Sequence, residues 1–130
     1  MVKREEDIHP VAQAEYFCVA TYLPVRGWST ILPFLRLSSS IERQLRQSDG
    51  AVRYGVKTDI PHKRFWTLSV WTNKQSMRSF VGAEPHLTAI RKFRSWAGEG
   101  AAFAEYTSVT GRLDWSEAAD HLKSPTSSFQ

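Results

Sequence analysis

The chain has 130 residues, 42% of them hydrophobic and 23% charged, so it is long enough to fold as a single domain around its own core. Its one cysteine, Cys18, excludes an internal disulfide and any zinc site built from several cysteines. The net charge is +4, but 13 acidic residues are interspersed among 17 basic ones and the sequence has no recognised nucleic-acid motif, so we do not expect nucleic acid as a partner.

The N-terminal segment is polar, and no apolar stretch follows it. Residues 1–14 show no hydrophobic period, so we expect a flexible N-terminal arm there. The apolar segment that a secretory signal requires is missing, and no stretch approaches the roughly 20 apolar residues of a membrane span. We therefore expect a cytoplasmic protein that does not contact a membrane.

The first predicted strand covers residues 15–22, which are dense in aromatic and β-branched side chains. A helix follows it, because Ser29 or Thr30 can cap an N-terminus and the apolar residues within 31–45 recur at helical spacing. Gly50 ends this helix.

Two further strands are predicted at residues 51–58 and 64–72, and their short link predicts an antiparallel hairpin. Side chains alternate along a strand, so Phe65, Thr67, Ser69 and Trp71 point to one side, whereas Trp66, Leu68 and Val70 point to the other. Both sets are largely apolar. We therefore expect both faces of the sheet to be covered.

A second helical region follows the hairpin. Thr72 and Gln75 have the spacing of a capping box. Gly82 interrupts the helix, and a second helical piece then places His86, Ile90 and Phe93 on one face.

The last predicted strand covers residues 101–109, and residues 111–130 form a C-terminal tail that is partly disordered, with one short helix in it. The element order β-α-β-β-α-β predicts an α+β, ferredoxin-like fold with an antiparallel four-stranded sheet. Helices cover one face of such a sheet, and a second copy would cover the other. We therefore expect residues 15–110 to form one domain of a homodimer.

The stretch that runs from strand residues 65–71 through Met77 and Phe80 to Pro85 and His86 resembles the dimeric α+β barrel superfamily, especially antibiotic biosynthesis monooxygenase-like proteins. The resemblance implies the same fold. It also implies a cavity between sheet and helices that takes a hydrophobic, aromatic or polycyclic small molecule. The superfamily includes cofactor-free monooxygenases, haem-degrading enzymes, other haem proteins and polyketide cyclases, so the reaction type stays open.

The resemblance assigns candidate catalytic roles to two residues. Trp71 matches a tryptophan that lines the cavity, and its indole could donate one hydrogen bond. His86 matches a histidine that acts as a base, and an imidazole near pKa 6.5 suits that role. The candidate substrate-binding residues are Thr21, Phe65, Thr67, Ser69, Phe80 and Ile90, and no metal site is predicted.

Three functions follow as alternatives. The first is a monooxygenase-like enzyme that works without a cofactor, with the substrate anion itself reacting with oxygen. The second is a haem-binding protein with His86 as axial ligand. The third is a polyketide cyclase-like proton-transfer enzyme or a non-catalytic dimeric module that binds a ligand. Thr21 and Ile90 stand where the haem-degrading branch has Asn and His, which argues against haem degradation by that mechanism.

Overall fold

A computed structural model of the chain describes residues 1–128. The strands are β1 (Val2–Asp7), β2 (Tyr16–Pro24), β3 (Ala51–Asp59), β4 (Arg64–Trp71), β5 (Ala102–Ser108) and β6 (Ser127–Ser128), and the helices are α1 (Ile31–Arg46), α2 (Lys74–Val81), α3 (His86–Trp96) and α4 (Trp115–Leu122). The four predicted strands and the four predicted helical segments, including the short helix of the C-terminal tail, are confirmed. The strand ends agree within two residues.

All six strands form one antiparallel sheet in the order β1-β3-β4-β2-β5-β6. The four middle strands have the ferredoxin-like arrangement predicted from the element order. β2 and β4 lie at the centre, and their register sets Thr21 directly opposite Thr67.

The N-terminal segment differs from the predicted flexible arm, because β1 pairs with β3 along its whole length. Its run of five charged residues gives no hydrophobic period, but charged side chains are typical of an edge strand. Arg4 contacts Glu42 of α1 at 2.7 Å, and Tyr54 donates a hydrogen bond to Glu42 at 2.7 Å. This network ties β1 to β3 and α1, and it covers the buried ring of Tyr54.

Helices α1, α2 and α3 pack on one face of the sheet and form two apolar clusters. One cluster surrounds Phe65, whose ring lies 4.5 Å from the ring of Phe34 on α1. The other surrounds Trp71 and includes Met77 and Phe80 of α2. The capping residue of α2 is Asn73, one position later than the sequence indicated, because its side chain accepts a hydrogen bond from Ser76 N at 2.8 Å.

The opposite face of the sheet is covered by α4. Ala118 of this helix packs with Ala20 and Leu68 of the two central strands. Trp115 lies over Gly55 of β3, where an added Cβ would stand 2.8 Å from the indole carbon Cζ2. The homodimer is expected because this apolar face needs a cover. Since α4 supplies that cover, the face does not need a second copy.

Cys18 lies on the same face and is 1% exposed. Burial raises the pKa of its thiol to about 12. The thiol is therefore un-ionised at neutral pH and packs as a small apolar side chain.

The C-terminal tail returns to the sheet, in contrast to the predicted disorder of its last residues. Thr126 N donates a hydrogen bond to Phe103 O at 2.9 Å, and residues 127–128 pair with β5. The prediction for residues 129–130 lies outside the described residues. In the described part of the chain, no helix has the length and apolar character needed to cross a membrane.

Candidate functional site

A belt of hydroxyl side chains separates the two apolar clusters on the helix-covered face. Thr21 of β2 and Thr67 and Ser69 of β4 point to this side of the sheet, and all three are half-buried. The Oγ1 atoms of Thr21 and Thr67 hydrogen-bond to each other across the strands. The structure therefore brings together three of the residues that the sequence predicted to bind substrate, at a place that solvent reaches.

Trp71 does not have the open position predicted for it. Its side chain has no exposed surface, and its Nε1 donates a hydrogen bond to Ser69 Oγ at 2.9 Å. The indole N–H is therefore already paired and cannot bind a substrate in this arrangement. Trp71 belongs to the core beneath α2, because an apolar indole is most stable where water is excluded.

Two further predicted substrate-binding residues are also core residues. Phe65 is 2% exposed and packs against Phe34, and Phe80 is 9% exposed. The Phe80 ring centroid lies 5.3 Å from that of Trp71 and 4.9 Å from that of His86. Phe80 therefore packs against both candidate catalytic side chains, where the sequence had predicted an open space.

His86 is the first residue of α3, and its ring is partly shielded. The Nδ1 atom is inaccessible to solvent and has no partner at full hydrogen-bond geometry among the described residues, although backbone groups of Val81 and of His86 itself lie close enough to the ring to oppose part of the fall in its pKa. Burial lowers the pKa of His86 below its usual value of 6.5, so the imidazole is neutral at physiological pH. A neutral, unpaired imidazole nitrogen can accept a proton, and an unpaired buried polar atom is unusual enough to suggest function.

The position of His86 depends on a residue that the sequence did not single out. Gln44 of α1 reaches the junction between α2 and α3, where its Oε1 accepts from His86 N and its Nε2 donates to Phe80 O. Helix ends leave such backbone groups without intrahelical partners. No local pattern marks this contact, because it joins residues 42 positions apart. Ile90, one turn further along α3, is half-buried on the same side as His86.

Axial ligation of haem through His86 Nδ1 does not fit these residues. Axial ligation needs an accessible imidazole nitrogen with room beside it for a flat macrocycle. Here Nδ1 is shielded from solvent, and the edge of the Phe80 ring packs on the imidazole at an interplanar angle of 62°. Across the part of the chain that the structure describes, no cluster of three or more His, Cys, Asp or Glu side chains could hold a metal ion.

Comparison with known proteins gives a structural result only. No protein-family model matches the chain, and no curated protein is significantly similar to it in sequence. Many solved structures do match it in fold.

Three of these structures illustrate the match. A protein from Nitrosomonas europaea, provisionally described as an antibiotic biosynthesis monooxygenase, is 14% identical with a TM-score of 0.65, covering 76% of this chain and 95% of its own. A conserved protein from Methanosarcina mazei is 14% identical with a TM-score of 0.64, covering 72% of this chain and 92% of its own. SnoaB from Streptomyces nogalater, described as a cofactor-independent oxygenase, is 15% identical with a TM-score of 0.58, covering 74% of this chain and 94% of its own.

At such low identities, the TM-scores and coverages establish a shared architecture. The matches confirm the resemblance found in the sequence at the level of fold, because proteins described as antibiotic biosynthesis monooxygenases recur among them. The chain therefore has the ferredoxin-like α+β fold of the antibiotic biosynthesis monooxygenase-like proteins.

Proposed function

We propose that the chain is a cofactor-independent, monooxygenase-like enzyme whose substrate is a hydrophobic aromatic or polycyclic molecule bound on the helix-covered face. The observation that carries the proposal is the unpaired Nδ1 of His86, in a ring whose pKa is lowered by burial. The fold shared with a cofactor-independent oxygenase supports it.

In this proposal His86 removes a proton from an acidic C–H or O–H of the substrate. The substrate carbanion or phenolate then transfers electrons to dioxygen, one oxygen atom enters the product and the other leaves as water. The apolar ring of Phe80 keeps water away from the imidazole. Thr21 and Thr67 are hydrogen-bonded to each other, so this half-buried pair has one hydroxyl hydrogen left to donate to the substrate anion.

The Phe80 ring limits access to His86 as the structure stands. Substrate entry on the helix side therefore requires this buried ring to change its rotamer. The same packing favours a second candidate function, a module that binds a hydrophobic ligand without converting it. Homodimerisation stays a prediction, and light scattering of the full chain measures it.

A tricyclic anthrone is a suitable probe, because its central carbon is acidic and its oxidation by dioxygen to the quinone and water balances. Quinone absorbance and oxygen uptake are measured for the wild-type chain, His86→Gln and the exposed control His9→Gln. We expect turnover in the wild type and in His9→Gln, and its loss in His86→Gln with an unchanged circular dichroism spectrum.

The remaining outcomes separate the alternatives. Binding of the probe without oxygen uptake would favour the non-catalytic module. Rearrangement of a polyketide-like probe without oxygen uptake would favour proton-transfer chemistry of the cyclase type. Equal turnover in His86→Gln and the wild type would remove His86 from the mechanism.

A further inference from the structure

A surface depression of about 270 Å³ lies on the α4-covered face, opposite to the helix-side belt. It lies where the last turn of α4 passes over the central strands. Its lining includes Tyr22, Arg64, Trp66, Ala102, Ala119 and Leu122. None of these residues belongs to the site proposed above, so the depression is a separate candidate for ligand binding.

Two aromatic rings form one wall of the depression. Tyr22 and Trp66 are directly opposite each other on β2 and β4, and their ring centroids lie 5.4 Å apart. Ala102, the β5 neighbour of Tyr22, and Ala119 of α4 have side chains of one carbon each. The small side chains leave room beside the rings for a flat group, and aromatic rings prefer such offset contacts.

A guanidinium group stands at a fixed position beside these rings. Arg64 Nη2 lies 2.6 Å from Asp59 Oδ2, and Asp59 is only 8% exposed. The carboxylate also contacts His62 Nδ1 at 3.0 Å. Arg64 is thereby held with its Cζ 5.5 Å from the centre of the Trp66 ring. A guanidinium that is already positioned loses little conformational freedom when it binds a carboxylate.

Two lysines add positive charge to this region, one beside the Trp66 ring and one at the rim of the depression. Lys57 Nζ lies 4.8 Å from the centroid of Trp66. Lys123 lines the rim of the depression, with a side chain that is 78% exposed. Asp59 pairs with Arg64 and Asp120 lies 3.3 Å from Lys123, so these three cations face two carboxylates. The remaining positive charge favours a negatively charged group over a neutral one at this edge of the sheet.

We propose that this depression binds a small aromatic carboxylate. The ring of the ligand stacks against Tyr22 and Trp66, and its carboxylate pairs with Arg64. The site lies on the opposite face from His86, so it is independent of the enzymatic function proposed above and would serve as a second, non-catalytic ligand site.

The test uses 2-naphthoate as the probe, titrated into the full-length protein. Binding is measured by calorimetry and by the shift of the Trp66 indole N–H signal in NMR spectra. Ala119→Leu fills the depression from an exposed helix position, and Ser116→Leu on the same helix is the matched control because Ser116 does not line it. We expect Ala119→Leu to weaken binding tenfold or more and Ser116→Leu to leave it unchanged.

A second comparison tests whether binding requires the negative charge of the probe and the positive charge of Arg64. The probe 2-naphthylmethanol has an alcohol in place of the carboxylate, and the Arg64→Gln variant lacks the guanidinium. Each change removes the charge-assisted pair between ligand and protein, and each should weaken binding about tenfold. Equal affinity for the two probes would overturn the proposal, as would equal affinity of Ala119→Leu and the wild type or the absence of any Trp66 shift at millimolar probe. Loss of binding in His86→Gln instead would place the probe at the helix-side site and also overturn it.

Discussion

Gln44 holds the backbone of His86 from the neighbouring helix, because its Oε1 accepts a hydrogen bond from His86 N at 3.1 Å. The same side chain donates to Phe80 O at 2.9 Å. One amide therefore pairs with the His86 N–H, which has no acceptor within α3, and adds a second donor to Phe80 O, which Ala83 N also contacts at 3.3 Å. A side chain of α1 therefore fixes the position of His86, the candidate base.

The first prediction concerns this amide. Gln44→Met preserves the length of the side chain but removes both hydrogen bonds, so His86 N loses its acceptor and Phe80 O keeps only Ala83 N as a donor. We expect the free energy of unfolding to fall by about 1–3 kcal/mol, measured by urea denaturation. Gln47→Met, one turn later on an exposed position, is the control and should change stability by less than about 0.5 kcal/mol. Equal losses in the two variants would show that the bridge is unimportant.

The second prediction concerns the protonation of His86. Burial disfavours the imidazolium, so its NMR titration should have a midpoint below the ordinary pKa of 6.5. Because the unfolded chain then binds the proton first, this group lowers stability as the pH falls below about 6.5. If His86 is the base, turnover persists to lower pH than a free imidazole would allow. A midpoint at or above 6.5 would contradict the shielding described for Nδ1.

Much of the fold could be predicted from the sequence, because periodic signals encode it locally. The aromatic and β-branched run that became β4 and the apolar spacing that became α1 each describe one element and its buried side. β1 carries no such signal. Its run of charged residues is compatible with a solvated coil, and pairing with β3 together with contacts such as Arg4 to Glu42 and Tyr54 makes it a strand.

The candidate site was harder to predict, because it depends on contacts between elements. Sequence spacing placed Trp71 and His86 on facing elements, but it could not show that Phe80 packs against both rings. The pairing of Thr21 with Thr67 follows from strand register, which the order of strands does not fix. The apolar face that suggested a second copy is covered by α4, and no local pattern specifies on which face a C-terminal helix packs.

The third prediction concerns the hairpin that joins β3 and β4. Hydrogen bonds from His62 and Arg64 lower the pKa of Asp59 from 3.8 to about 2. A carboxyl group whose pKa is depressed by folding stabilises the protein above its ordinary pKa, and this contribution is lost as the pH falls from about 3.8 through 2. The melting temperature of the wild type should therefore approach that of Asp59→Asn over this range. Asp49→Asn, at an exposed position, is the control for the loss of one carboxylate, and a constant difference between wild type and Asp59→Asn would refute the assignment.

The fourth prediction tests the position of α4 on the sheet. A Cβ at residue 55 would stand 2.8 Å from Trp115 Cζ2, a separation at which one of the two groups must move. Gly55→Ala should therefore destabilise the chain by about 1–3 kcal/mol. Trp115→Leu removes the ring that creates the clash, so the Gly55→Ala cost should be smaller in that background.

A double-mutant cycle from thermal and urea unfolding measures the coupling between residues 55 and 115. Gly98→Ala is the matched glycine control, because a Cβ at residue 98 makes only ordinary contacts, the nearest at 3.4 Å. Additive effects of the two substitutions would mean that Trp115 does not lie over Gly55 in solution. That face of the sheet would then be open to a second copy in the wild type, and light scattering of the wild-type chain should detect the resulting dimer, because an uncovered apolar sheet face is unstable in water.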